Sequence, residues 1–202
     1  MAYDSASRDF LSRRKVRALT DRDFFDYHLL QPGLQPCLDA LQTHLGEHYV
    51  VYGELYGGYY STGDAPPRRT TRCPVQTRIR YSAEKAFVVF DIFLKLQGRY
   101  GDWEEVQRAC AQARLRCVPE LFRGTFQEID ARDIENLRTR LPRLHQEEDE
   151  CALPDVVEGI VIRPAKELPG HHRFRLKKKT EHFVERKTPG GRLPPNLRGH
   201  AP

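Results

Sequence analysis

Four short apolar segments carry charges that a core strand excludes, and this mismatch constrains the fold more than any other feature of the chain. In Val51-Tyr-Gly-Glu-Leu-Tyr-Gly-Gly58, Glu54 lies inside a strand pattern. A lone carboxylate there is costly unless it is paired or binds something; the competing account is a salt-bridged strand glutamate. Phe87-Val-Val-Phe-Asp-Ile-Phe93 holds Asp91 in the same way. Strand alternation sets Asp91 on the face opposite Phe90, and Phe90 either offers its ring to a nucleobase or fills a core. Glu158-Gly-Ile-Val-Ile-Arg-Pro164 opens an apolar strand with a glutamate. Gly159 there allows close backbone approach, which suits a metal or phosphate as well as a plain sheet-edge charge.

The fourth segment is Arg173-Phe-Arg-Leu-Lys-Lys-Lys179. Alternation gathers Arg173, Arg175, Lys177 and Lys179 on one face, with Phe174 and Leu176 on the other. Like charges in a row call for an anion among them, such as a triphosphate. The alternative is a basic edge strand that resists aggregation.

Around these segments the pattern is mixed. Leu34, Leu38, Leu41 and Leu45 recur at helical spacing and predict a helix ending near Gly46. Strands are expected at Tyr49–Tyr56, Gln76–Tyr81, Ala86–Leu96, Val156–Arg163 and Arg173–Lys179. Asp102 caps a helix bearing Trp103, Val106 and Cys110 on one face, and a further helix is expected over Ala131–Leu141. The glycine- and proline-rich stretch from Gly57 to Arg72 and the acidic run Gln146–Glu150 are loops. The fold class is therefore α+β, built on antiparallel strands. Its expected extent is residues 1–188, followed by a flexible tail over 189–202.

Composition narrows the function classes. No apolar run approaches the roughly 20 residues a membrane helix needs, so no membrane role is expected. A net charge of +5 and a pI near 9.0 favour a polyanionic partner. Basic residues cluster at Arg13, Arg14, Lys15 and Arg17 and again over residues 173–179. Five scattered cysteines without a C-x-x-C spacing argue against a disulfide scaffold or zinc site and suit a reducing compartment. An intracellular protein, cytoplasmic or nuclear, is expected; the Ser- and Arg-rich start leaves a mitochondrial address open.

Two motifs invite other readings. His44-Leu-Gly-Glu-His48 spells the H-x-x-E-H of inverted zinc peptidases, but Gly46 weakens the helix that motif needs. Gly58-Tyr-Tyr-Ser-Thr-Gly-Asp64 lacks the G-K-[ST] ending of a phosphate-binding loop.

In order and combination, the glutamate strand, the F-D-I, the E-G-x-V-I-R-P and the K-x-K strand resemble the motif series of covalent nucleotidyltransferases. Within that superfamily the chain most resembles phage-type and RNA-editing ATP-dependent RNA ligases. Asp23-Phe-Phe-Asp-Tyr27 and Lys179-Thr-Glu-His-Phe-Val-Glu-Arg-Lys187 are similar to further stretches of that branch, and the likeness runs from about Leu11 to Lys187. The resemblance implies an antiparallel adenylation domain of the ATP-grasp-like ligase and capping-enzyme type. It implies ATP and Mg2+ or Mn2+ as cofactors, RNA as partner, and a monomer. Carried over motif by motif, Arg14 contacts the nucleotide or the RNA phosphate, Glu54 holds the ribose and Phe90 stacks on adenine. Glu158 assists the divalent metal, and Lys177 and Lys179 stabilise charge on the α-phosphate. Arg163 stands where the family often has a lysine, as a further cofactor contact, and Gln76 and Arg78 are candidate RNA or structural contacts.

The family's nucleophile is a K-x-x-G lysine ahead of the arginine matched to Arg14. The residues ahead of Arg14 contain no lysine, and Lys15 follows it. The expectation is a domain incomplete at its N-terminus, unable to adenylylate itself and poorly soluble where a sheet neighbour is exposed. The alternatives are a catalytically inactive nucleotide- or RNA-binding remnant, or a DNA ligase or capping-type enzyme.

Overall fold

A computed structural model of the chain describes residues 1–11, 27, 30–58, 75–76, 85–138, 157–168 and 173–183. Its larger part is a five-stranded antiparallel sheet with order β2-β1-β3-β4-β5. The strands are β1 (Ala2–Asp4), β2 (Asp9–Leu11), β3 (Tyr49–Tyr56), β4 (Ala86–Leu94) and β5 (Arg99–Tyr100). Helices α1 (Gln31–Leu45) and α2 (Trp103–Gln112) contribute to the main core. A short helix α3 (Phe126–Asp130) precedes a separate two-stranded antiparallel sheet of β6 (Gly159–Ile162) and β7 (Leu176–Lys179).

The core follows from strand and helix periodicity. On β3, Tyr49, Val51 and Leu55 enter the core together. Gly53 belongs to the same row, where a Cβ would lie 2.2 Å from the Phe87 ring and 2.6 Å from the Val88 carbonyl. Glycine is therefore required at Gly53 by packing. From α1, Leu38 and Leu41 are buried, at 1% and 0% exposure. The helix stops at Gly46, whose φ of 78° suits glycine and whose amide donates to the Gln42 carbonyl. In α2, Trp103, Val106, Ala109 and Cys110 are buried, and Glu105 Oε2 accepts from the Asp102 amide at 2.8 Å, closing a capping box.

Expectations of three kinds need correction. No helix covers 131–138: helix α3 lies earlier, because Thr125 and Glu128 form a capping box that starts it at Phe126. Asp133 Oδ1 then accepts from the Glu135 amide and bends the chain into turns, which still deliver Ile134 to a small cluster with Ile129 and Ile160. The strands near Arg163 and Arg173 are shorter than expected, since only Gly159–Ile162 and Leu176–Lys179 pair. Strand β4 ends at Leu94, where a 3-10 turn over Lys95–Gln97 takes over. The expected strand over 77–81, the acidic run and the tail lie outside the described residues.

The third correction concerns β4 itself. Tyr52 pairs with Asp91 and Gly53 with Val89, so Phe90 is the extra residue of a β-bulge. Core residues on β4 accordingly run Phe87, Val89, then Ile92. The bulge takes up one residue and turns Phe90 and Asp91 to the same side of the sheet, away from the core.

Candidate functional site

The side of the sheet turned away from the core carries Tyr52 and Glu54 from β3, Phe90 and Asp91 from β4, and Tyr100 from β5. Glu54 is the one exposed residue of β3, whose burial otherwise runs from full to intermediate. The cost of a lone carboxylate in an apolar strand is thus avoided by leaving Glu54 in water on an open face.

Asp91 is the hub of this face, with a side chain 0% exposed. Its Oδ2 accepts from Arg173 Nε at 2.9 Å and from Arg175 Nη2 at 2.8 Å. Arg163 Nη1 stands 3.5 Å from Oδ1. Glu167 is the second carboxylate, accepting from Arg163 Nη2 at 2.6 Å and from Arg175 Nη2 at 2.8 Å. Three guanidinium groups meet two carboxylates in this cluster, and Glu54 adds a third carboxylate on the same side of the sheet. Burial pulls the Arg163 guanidinium below its ordinary value, and Asp91 and Glu167 oppose that pull.

Arg163 works on the strand rather than on the open face. It donates to the Phe90 carbonyl at 3.2 Å and the Gly101 carbonyl at 3.1 Å, and its guanidinium lies 4.9 Å over the Trp103 ring. The carbonyl of the bulge residue is therefore held by a side chain from the segment following β6. The Asp102 carboxylate accepts from the Glu167 amide and the Ala165 carbonyl from the Trp103 amide, tying that segment to the start of α2.

The expected row of four cations is divided. Arg173 and Arg175 precede β7 and turn to Asp91. Lys178, on the other side of β7, donates to the backbone carbonyls of Asp130 and Arg132. Lys177 and Lys179 remain together on one exposed side of β7, with Lys179 Nζ 3.6 Å from the Glu158 carboxylate. Gly159 is close to backbone, as its sequence setting suggests, but that backbone belongs to β7: a Cβ would lie 2.3 Å from the Lys178 carbonyl oxygen. Thr180, 0% exposed, donates to the Val157 and Glu158 carbonyls and fixes the head of β6.

Glu158 and its surroundings suit a hard cation that arrives with phosphates. Mg2+ keeps several waters and is usually held by one or two carboxylates plus substrate phosphates. Glu158 is 58% exposed and offers such a carboxylate next to Lys179. Among the described residues no group of three or more His, Cys, Asp or Glu could hold a metal on its own. The zinc-peptidase pattern also fails as a helix, because α1 ends at Leu45 and His48 lies beyond the Gly46 cap.

Of the residues the sequence singles out, Glu54, Phe90, Glu158, Arg163, Lys177 and Lys179 lie among the described residues, while Arg14 and Arg78 lie outside them. Gln76 is structural, donating to the Leu55 carbonyl at 3.2 Å and accepting from the Gly57 amide at 3.3 Å. The roles of Asp91, Glu167, Tyr52 and Tyr100 were missed. Only the spacing of Glu167 four residues after Arg163 hinted at a pair. Two K-x-x-G stretches do occur in the chain, Lys95–Gly98 and Lys187–Gly190. Both follow Arg14 rather than precede it. Lys95 Nζ is engaged with both Asp4 carboxylate oxygens, at 2.6 and 2.7 Å.

Comparison with known proteins supplies context. The chain matches the RNA ligase family over residues 6–179. It is similar to RNA-editing ligase 2, mitochondrial, of Trypanosoma brucei brucei, at 27% identity over 167 residues, 71% of this chain and 40% of that protein. It is also similar to RNA-editing ligase 1, mitochondrial, of the same organism, at 27% identity over 204 residues, 84% of this chain and 43% of that protein. The chain thus spans well under half the length of these curated relatives.

Proposed function

Because the chain belongs to the RNA ligase family, we propose that its open sheet face is the ATP-binding face of an adenylation domain that joins RNA 5′-phosphate and 3′-hydroxyl ends through adenylylated intermediates. The supporting observation is the exposed Glu54 beside a bulge that turns Phe90 outward on the same face. The domain, of the covalent nucleotidyltransferase type, occupies residues 1–188, with 189–202 as a tail, and acts as a monomer inside the cell. Its named relatives are mitochondrial proteins, and a mitochondrial site of action is compatible with this reading.

The roles divide by chemistry. Phe90 stacks on the adenine, a contact worth roughly 1–3 kcal/mol. Glu54 accepts from the ribose hydroxyls. Arg14 binds the nucleotide or the RNA 5′-phosphate. Lys177 and Lys179 stabilise the charge that develops on the α-phosphate oxygens as the bond to pyrophosphate breaks, and their value is greatest where water is excluded. Glu158 would hold Mg2+ or Mn2+, which neutralises phosphate charge when bound. Arg163 serves the cofactor site from beneath, through the Phe90 carbonyl.

Replacing Phe90 or Glu54 by alanine is expected to weaken ATP binding about tenfold or more, read by calorimetric titration; unchanged affinity for both variants would remove the proposal. These 202 residues also present no lysine ahead of Arg14 to accept the adenylate, so purified chain given α-labelled ATP is expected to remain unlabelled. Label on Lys95 or Lys187 would overturn that part. A catalytically silent nucleotide- or RNA-binding domain is the second reading. It is favoured by the engagement of Lys95 with Asp4. The acceptor is proposed to be RNA, against a DNA ligase or capping-type enzyme. Binding of nicked RNA in preference to nicked DNA is the test.

A further inference from the structure

Arg173 lies over the Phe90 ring, the ring proposed above to stack on the base. Its guanidinium carbon lies 5.4 Å from the Phe90 centroid, 5.6 Å from that of Tyr52 and 5.4 Å from that of Tyr100. Three rings thus surround one cation on the open side of the sheet, each at cation–π range. Tyr52 and Tyr100 are themselves in contact, with centroids 6.0 Å apart. Burial, followed by Tyr100, pushes the Tyr52 phenol up to about 12, so this ring stays neutral at physiological pH.

The three arginines around Asp91 are not equivalent. Arg163 and Arg175 are 12% and 11% exposed, and each is also paired with Glu167. Arg173 is 33% exposed, and its only ion-pair partner among the described residues is Asp91. If Arg173 swings out, Asp91 keeps Arg175 at 2.8 Å and Arg163 at 3.5 Å, so no buried carboxylate is stranded. The other two cannot leave on those terms, because each braces two carboxylates. Arg173 is the one displaceable member of the cluster, and it rests on the ring assigned to the base.

We propose that Arg173 caps the base-stacking face of Phe90 and is displaced when a nucleotide binds, so that it sets nucleotide affinity from within the site. The proposal rests on Phe90 being the base-stacking residue. It differs from the expectation that every cation near β7 waits for phosphate: Arg173 competes with the base instead of contacting the anion.

The test is calorimetric titration of the 202-residue chain with ATP and magnesium, and separately with inorganic tripolyphosphate, which has no base. Arg173→Ala is expected to tighten ATP binding about three- to tenfold and to leave tripolyphosphate binding unchanged or weaker. Retention of the wild-type circular dichroism spectrum is expected, since Asp91 keeps two partners. Weakened or unchanged ATP binding in Arg173→Ala overturns the proposal. Phe90→Ala separates this from failure of the underlying reading. If Phe90→Ala binds ATP as well as wild type does, the stacking assignment itself falls. If Phe90→Ala loses affinity while Arg173→Ala does not gain it, only the capping role falls. Absence of ATP binding by wild type and Arg173→Ala alike overturns both.

Discussion

The five-stranded sheet and the β6–β7 sheet are held in place by different forces. In the first, Tyr3, Phe10, Tyr49, Val51, Leu55, Phe87, Val89 and Ile92 pack into one core with α1 and α2. In the second, Ile160 is the only buried strand residue, and Val161 is 58% exposed. Its position relative to the larger sheet depends on the Asp91 and Glu167 ion pairs, on Arg163 reaching the Phe90 carbonyl, and on backbone contacts to α2. Apolar burial is non-directional and tolerates small shifts, whereas ion pairs and hydrogen bonds hold only at defined distances and angles. The comparison teaches that the segments flanking β6 and β7 are tied to the larger sheet by directional contacts. A buried charged cluster of this kind is a weak source of stability, and its value here is orientation.

The sharpest way to break this contrast is Asp91→Ala. It leaves Arg163, Arg173 and Arg175 around an empty position, and loss of one partner from a buried cluster costs about 3–5 kcal/mol. The expected result is a large fall in the urea midpoint and early proteolytic cleavage near β6–β7; an unchanged midpoint would show that the ion pairs do not hold the small sheet. Leu41→Ala tests the other side, where a fully buried leucine in the main core is worth about 2–4 kcal/mol. Val161→Ala on the small sheet is expected to change stability by no more than about 0.5 kcal/mol. A comparable loss from both would erase the distinction.

Smaller effects refine it. Thr125→Ala removes the capping box of α3 and is expected to cost about 1 kcal/mol by chemical denaturation. The smallest effect is a pH dependence in the larger sheet. The hydrogen bond from Arg99 holds the Glu105 carboxyl below its ordinary value of 4.5, against the opposing pull of burial. A carboxyl depressed in the folded state contributes stability that is fully present above its unfolded value and lost as pH falls through its folded value. The melting-temperature advantage of the wild type over Glu105→Gln is therefore expected to be constant above about pH 5.5 and to shrink below it. An advantage that grew on acidification would contradict the assigned ion pair.

Much of the fold is legible in the sequence because its signals are local. Leucine spacing marks α1, Gly46 ends it, Asp102 starts α2, and the aromatic and β-branched run over Tyr49–Tyr56 becomes β3 at those residues. Helix α3 was displaced because the apolar spacing of Ile134 and Leu137 is produced by turns, and the capping signal at Thr125 was the stronger cue. Of the proposed site, Glu54, Phe90, Glu158, Lys177 and Lys179 stand out in the sequence as polar or aromatic residues within strand patterns. The partners of Asp91 are not visible, since Arg173 and Arg175 lie 82 and 84 residues away along the chain.

By itself the sequence determined an α+β chain of antiparallel strands, its basic character, and a motif order that places it among RNA ligases, because periodicity, capping and motif spacing are properties of neighbouring residues. Only the tertiary structure decided that Phe90 and Asp91 share a face, that Arg163 supports the strand, and that Arg173 rests on the aromatic rings. A bulge is created by the pairing of two strands, and a buried ion pair by the meeting of distant segments, so neither is encoded in any single stretch of the chain.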